Sequence, residues 1–76
     1  MTETLVLFTI YENPSDYLGK FVVRRWTVDG GRGSPIPDKD VVVTESLYEA
    51  RKAVPSWCIN IGRMEHDDPT IREVWL

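Results

Sequence analysis

The seven residues Leu5-Val6-Leu7-Phe8-Thr9-Ile10-Tyr11 constrain this chain more than any other stretch. They carry no charge, include several β-branched or aromatic side chains, and are too few for a good helix. Successive side chains of a strand point to opposite faces, so an unbroken apolar run of this length reads as a strand buried on both faces or nearly so. Phe21 to Val28, rich in Val, Phe, Trp and Thr, reads as a second strand. Its alternation sets Phe21, Val23, Arg25 and Thr27 on one face, with Val22, Arg24, Trp26 and Val28 on the other. Neither face is cleanly apolar, which places each Arg near the far end of the strand or at a sheet edge.

Turn chemistry separates these elements. Asn13-Pro14-Ser15-Asp16 combines a residue with fixed φ and side chains that bond their own backbone. Asp29 to Asp40 holds Gly30, Gly31, Gly33, Pro35 and Pro37 and reads as a mobile surface loop. Val41-Val42-Val43 is then a short third strand. Ser46-Leu47-Tyr48-Glu49 fits a capping box, and Leu47, Ala50 and Val54 fall on one helical stripe that Pro55 ends. Arg51 and Lys52 come late in that helix, where they suit its dipole. Trp57 to Ile61 reads as another short strand with Trp57, Ile59 and Ile61 on one face. Glu65-His66-Asp67-Asp68-Pro69 is a polar turn, and Ile71 to Leu76 closes the pattern as a strand. The order β-β-(β)-α-β-β, without a repeated βαβ unit, predicts an α+β fold. We expect residues 1–76 to form one domain, a small antiparallel sheet of four to five strands with one α-helix packed on it.

A chain of 76 residues hides only about 60% of the surface its unfolded form exposes, so the core must be thin. Disulfides cannot compensate, because Cys58 is the only cysteine, and one Cys with one His cannot complete a structural zinc site. No basic stretch precedes the apolar run near Met1, and no run approaches the about 20 apolar residues of a membrane span. A soluble cytoplasmic protein without membrane contact is the expectation. Residues 1–40 carry five basic and six acidic groups and residues 41–76 four and six, matching the totals of nine and twelve and the net charge of −3. There is no charged tail, and the acidic balance argues against general nucleic-acid binding.

Each cluster with chemical promise has a plain structural reading. Trp26 beside Arg24 and Arg25 has the makings of a single-strand nucleic-acid platform, an aromatic for base stacking flanked by guanidinium groups. It equally fits a core indole beside two arginines paired with acids. Gly30-Gly31-Arg32-Gly33 lacks the helix that a phosphate cradle leads into, since Pro35 and Pro37 follow, and reads as a hairpin tip. His66 among Glu65, Asp67 and Asp68 lacks the spacing of a calcium loop and reads as a solvated turn. Cys58, inside Trp57-Cys58-Ile59, reads as a small core residue rather than a thiolate, with His66 the only conceivable base. We expect no catalytic residue, no cofactor and no metal. Val74-Trp75-Leu76 and the three Trp residues point to protein contact, because Trp is enriched at interfaces, although a thin core also uses such side chains.

Three segments carry a resemblance. Ile10-Tyr11-Glu12-Asn13-Pro14-Ser15-Asp16-Tyr17 running into Lys20-Phe21-Val22-Val23-Arg24-Arg25-Trp26, Ser46-Leu47-Tyr48-Glu49-Ala50-Arg51 with Ala53-Val54-Pro55, and Asp67-Asp68-Pro69-Thr70-Ile71-Arg72-Glu73-Val74-Trp75-Leu76 resemble a group of short bacterial and prophage proteins without an assigned activity. The resemblance implies a bacterial, cytosolic context and transfers no site residue. The leading expectation is a non-enzymatic, acidic protein-interaction module that docks on a larger protein or complex. Its interface would draw on Asp67, Asp68 and Trp75, and a prophage inhibitor of a host nucleic-acid machine, of the anti-CRISPR kind, is one concrete version. The alternative is single-stranded nucleic-acid binding through Arg24, Arg25 and Trp26, and a weaker third is a thiol-dependent activity at Cys58. Edge strands in so small a sheet also allow a homodimer.

Overall fold

The computed structural model describes residues 4–29, 34–63 and 68–76. Its elements are β1 (Thr4–Glu12), β2 (Phe21–Asp29), β3 (Ile36–Thr44), α1 (Leu47–Ala53), β4 (Asn60–Gly62) and β5 (Ile71–Trp75). They form one antiparallel five-stranded sheet in the order β3-β2-β1-β5-β4, with α1 packed on one face, the α+β architecture the pattern predicts. The uncharged run lies in the middle strand, β1. The chain leaves β3 at one edge, crosses the sheet through α1, and returns as β4 at the other edge, so the helix sits where the topology needs a crossover.

Two boundaries and the placement of two arginines differ from the sequence reading, each for a local reason. β3 starts at Ile36, inside the stretch read as a mobile loop. Pro35 and Pro37 do not forbid this, because β3 is an edge strand and a missing N–H there need not break a ladder. A register shift between Arg24 and Trp26 sets residues 38–40 against Arg25 alone and takes up the two extra residues. Arg24 and Arg25 are neither at a strand end nor at a sheet edge, since β2 is paired on both sides and both residues lie mid-strand. The arginines are accommodated by reaching out: Arg24 Nη1 donates to the Asp38 carbonyl at 2.8 Å, at the bulge, and Arg25 is exposed. β4 spans Asn60–Gly62 rather than 57–61, with Trp57 in the turn after the helix. Ile59 still exchanges both backbone bonds with Leu76, at 2.8 and 2.9 Å. Gly62, at φ 74°, ends the strand with its N–H on Asn60 Oδ1 at 2.8 Å.

The helix begins as its capping signal dictates, with the Glu49 N–H donating to Ser46 Oγ at 3.1 Å. It stops at Ala53 because Val54, ahead of Pro55, is driven to extended backbone at φ −82°, ψ 135°. Val54 nonetheless stays buried with Ala50 and Cys58 against Ile10 and Val23, while Phe8, Phe21, Leu47 and Trp75 pack around them. The strand registers place Phe8, Ile10, Phe21, Val23, Glu73 and Trp75 on this helix-covered face. A seven-residue helix is about 10 Å long and cannot span five strands. Residues 54–58 therefore continue the cover where α1 ends.

A charged pair pins the helix to the sheet. Glu73, 6% exposed, accepts from Arg51 Nε at 3.0 and 3.1 Å and from Arg51 Nη2. Trp75 Nε1 donates to the same carboxylate at 3.1 Å. The Arg51 hydrogen bonds above all, then those from Trp75 and Asn60, hold the Glu73 carboxyl below its ordinary range against the opposing effect of burial. No buried side-chain polar atom among the described residues lacks a partner.

Candidate functional site

The other face of the sheet is also apolar. Registers set Leu5 beside Val28, Leu7 beside Trp26, Thr9 beside Arg24 and Tyr11 beside Val22 on it, with Val43 opposite Val22 and Pro37 opposite Trp26 at the β3 edge. Thr9 is only 5% exposed, because the Trp26 indole reaches it, Nε1 donating to Thr9 Oγ1 at 2.9 Å. One step beyond the pair Phe8 and Trp75, the register sets Leu76 next to Leu7, and Leu76 in turn faces Ile59. An apolar row thus runs from β4 to β3 through Ile59, Leu76, Leu7, Trp26 and Pro37. Its β4 side is the most open part: Ile59 is 69% exposed, Ile61 52% and Leu76 49%, with Leu5 55% exposed on β1. Among the described residues no helix or strand overlies this face.

The Tyr11 end of the same face is shaped differently. The turn from Asn13 rises beside it, held by Asn13 at φ 54° and by its Oδ1, which accepts the Gly19 N–H at 2.6 Å. Pro14, Tyr17, Tyr11, Val22, Arg24 and Asp68 line a shallow, half-polar cavity of about 400 Å³ there. Thr70 bonds the Asp68 carboxylate through its hydroxyl at 2.7 Å and its N–H at 2.9 Å, and these bonds hold that carboxyl below the usual carboxylate range.

The residues singled out in sequence are dispersed. Trp26 and Arg24 share the open face, but Arg25 points to the helix side, so the three do not make one platform. Arg24 is tied to Asp38, and Trp26 is half-buried with its ring N–H committed to Thr9. Trp75 is half-buried against the core, whereas Asp68 is exposed near the opposite end of β5. Cys58 is a buried free thiol in the core cluster. Asp67, Glu65, His66 and the stretch Gly30-Gly31-Arg32-Gly33 lie outside the described residues. Among the described residues there is no cluster of His, Cys, Asp or Glu able to hold a metal, and no helix long and apolar enough to cross a membrane.

No family model, curated protein or solved structure matches the chain. The surface itself is therefore the guide to function. Sequence reasoning put Trp57, Ile59 and Ile61 on one strand face but did not single them out as a site. Alternation marks such residues as sharing a face and cannot say whether a layer lies over that face. The Arg51–Glu73 pair was also missed, since its members are 22 residues apart and meet only when α1 lies across β5.

Proposed function

We propose that this protein works as a non-enzymatic protein-interaction module, presenting the open face of its sheet to another protein surface. The observation that carries this reading is the cluster of Ile59, Ile61, Leu76 and Leu5, large apolar side chains each about half or more exposed, beside half-buried Leu7 and Trp26. Monomeric proteins seldom leave a contiguous apolar patch of several hundred Å² to water, and larger ones mark contact sites. Trp is among the residues most enriched where binding energy concentrates. The face carries little of the cationic surface that nucleic acid requires, as Arg24 is spent on a backbone carbonyl.

Docking on a larger bacterial protein or complex is one form of this reading, and inhibition of a host nucleic-acid machine by a prophage-borne protein is its most specific version. Asp68, exposed and with its carboxyl held below the usual range by Thr70, would supply acidic surface for such a target. Affinity capture from bacterial lysate, with and without nuclease, tests the module reading using the wild type and Ile59→Asp. A stoichiometric protein that survives nuclease and is lost with Ile59→Asp is the expected result. Material that disappears with nuclease would overturn it in favour of Arg24 and Trp26 contacting nucleic acid.

A further inference from the structure

We infer that the cavity at the Tyr11 end of the sheet is a binding site for an organic ammonium group. This site is separate from the apolar row, since none of Ile59, Ile61, Leu76 and Leu5 lines it. Two connections flanking the end of β1 build it. Tyr11 and Val22 sit opposite each other on β1 and β2 and form the floor, with Val22 only 3% exposed. The turn after β1 raises Pro14, Asp16 and Tyr17 as one wall. That turn is fixed by the Gly19 N–H on Asn13 Oδ1 and by the Tyr17 N–H on the Pro14 carbonyl at 3.0 Å. The segment leading into β5 supplies Asp68 and Thr70 as another wall. At about 400 Å³ the space lies near the lower end of the range for small-molecule sites, about 300–1,000 Å³.

The lining chemistry selects the ligand. Two phenol rings and a proline around a buried valine make a π-rich apolar surface, and the negative faces of such rings attract cations. The chain places no cation of its own on them. Among the described residues the one such stacking is Lys52 over Tyr48, 4.6 Å from the ring centre, on the helix. Both Thr70 bonds fall on Asp68 Oδ1, so Oδ2 has no hydrogen-bond partner among the described residues. Asp16, exposed on the facing wall, has no ion pair among them either. Arg63 donates to the Asp68 and Ile71 carbonyls and does not line the cavity. Arg24 does line it, but its Nη1 reaches the Asp38 carbonyl on β3, across the sheet from Asp68. The two carboxylates oppose an anion, and they fall short of the about six oxygens that a hard metal ion takes. An ammonium bearing carbon substituents suits both walls, its methyl or methylene groups on the rings and its charge toward the carboxylates.

Choline and dimethylbutanol, its uncharged carbon isostere, titrated into the labelled wild type and followed by heteronuclear NMR, test this. Choline should shift the amide resonances of Asp16, Tyr17, Asp68 and Thr70 with a Kd of about 0.1–10 mM, and dimethylbutanol should bind about tenfold or more weakly. Tyr17→Leu removes a ring from an exposed turn, and Asp68→Asn removes the charge while leaving an oxygen for Thr70. Each should weaken choline about threefold to tenfold with an unchanged circular dichroism spectrum. N-acetyl-lysine amide separates the two sources of such a group. Tighter binding than choline assigns the site to a lysine side chain of a polypeptide, and weaker binding to a free small molecule. No shift up to about 50 mM choline overturns the inference. So does equal binding of dimethylbutanol, or a choline affinity untouched in both folded variants. Ile59→Asp should leave choline binding unchanged, so protein capture by the apolar row and ligand binding in the cavity succeed or fail separately.

Discussion

On the helix side of the sheet, Ile10 and Val23 are sealed by Ala50, Val54 and Cys58, and a buried carboxylate is fully bonded by Arg51 and Trp75. On the other side, Val22 and Thr9 are buried and the Trp26–Thr9 bond draws part of the surface together, but Leu5, Ile59, Ile61 and Leu76 stand about half or more exposed. Both faces are built from the same residue types, so composition does not distinguish them. What differs is that a single seven-residue helix and the turn after it can roof only one side. An apolar sheet face is thus a promise of burial that one short chain keeps once.

The largest test of this contrast is on the sealed side. Ile10→Ala should cost about 2–5 kcal/mol by urea unfolding, because Ala50 and Val54 leave little freedom to fill the void. For so thin a core that is a large share of the total stability. A loss below about 1 kcal/mol would mean that the roof repacks readily, and the contrast between the faces would weaken.

The next is the bonded carboxylate. Glu73→Gln should lower stability by about 1–3 kcal/mol at neutral pH, as charge-assisted bonds become neutral ones. Because the folded carboxyl lies below its ordinary range, its contribution is complete above the unfolded value of about 4.3 and is lost as pH falls through the lowered folded value. The difference between wild type and variant in urea midpoint should therefore shrink on acidification. A difference that stays constant from neutral to strongly acidic pH would show that the ion pair does not fasten the helix.

The smallest effect is expected on the open side. Trp26→Phe removes the indole donor to Thr9 while keeping an aromatic ring, for a loss of about 0.5–1.5 kcal/mol. Urea unfolding should show this loss to be smaller than that of Ile10→Ala, because the open face is packed on one side only. A loss as large as that of Ile10→Ala would mean that the open face is held as tightly as the sealed one.

Much of the architecture was legible in sequence because it follows from local rules. The runs Leu5 to Tyr11 and Phe21 to Val28 became β1 and β2, and Ser46 and Glu49 placed the helix start to the residue. The strand that extends back to Ile36 was hidden by its prolines, whose acceptability depends on being at an edge, a property of the sheet rather than of the segment. The arginines of β2 misled for a related reason. Nothing local reveals that a bulge in a neighbouring strand will offer Arg24 a carbonyl.

The candidate surface divides in the same way. Sequence determined that β1 is apolar on both sides, since side-chain direction in a strand is set by the backbone period alone. Trp57, by contrast, expected on one strand face with Ile59 and Ile61, lies in the turn after the helix. Only the tertiary structure decided which face the helix would roof, that Ile59 would lie against Leu76, and that Arg51 would find Glu73. Those outcomes depend on strand order and on the path of one crossover helix, and they bring together residues that no local spacing relates.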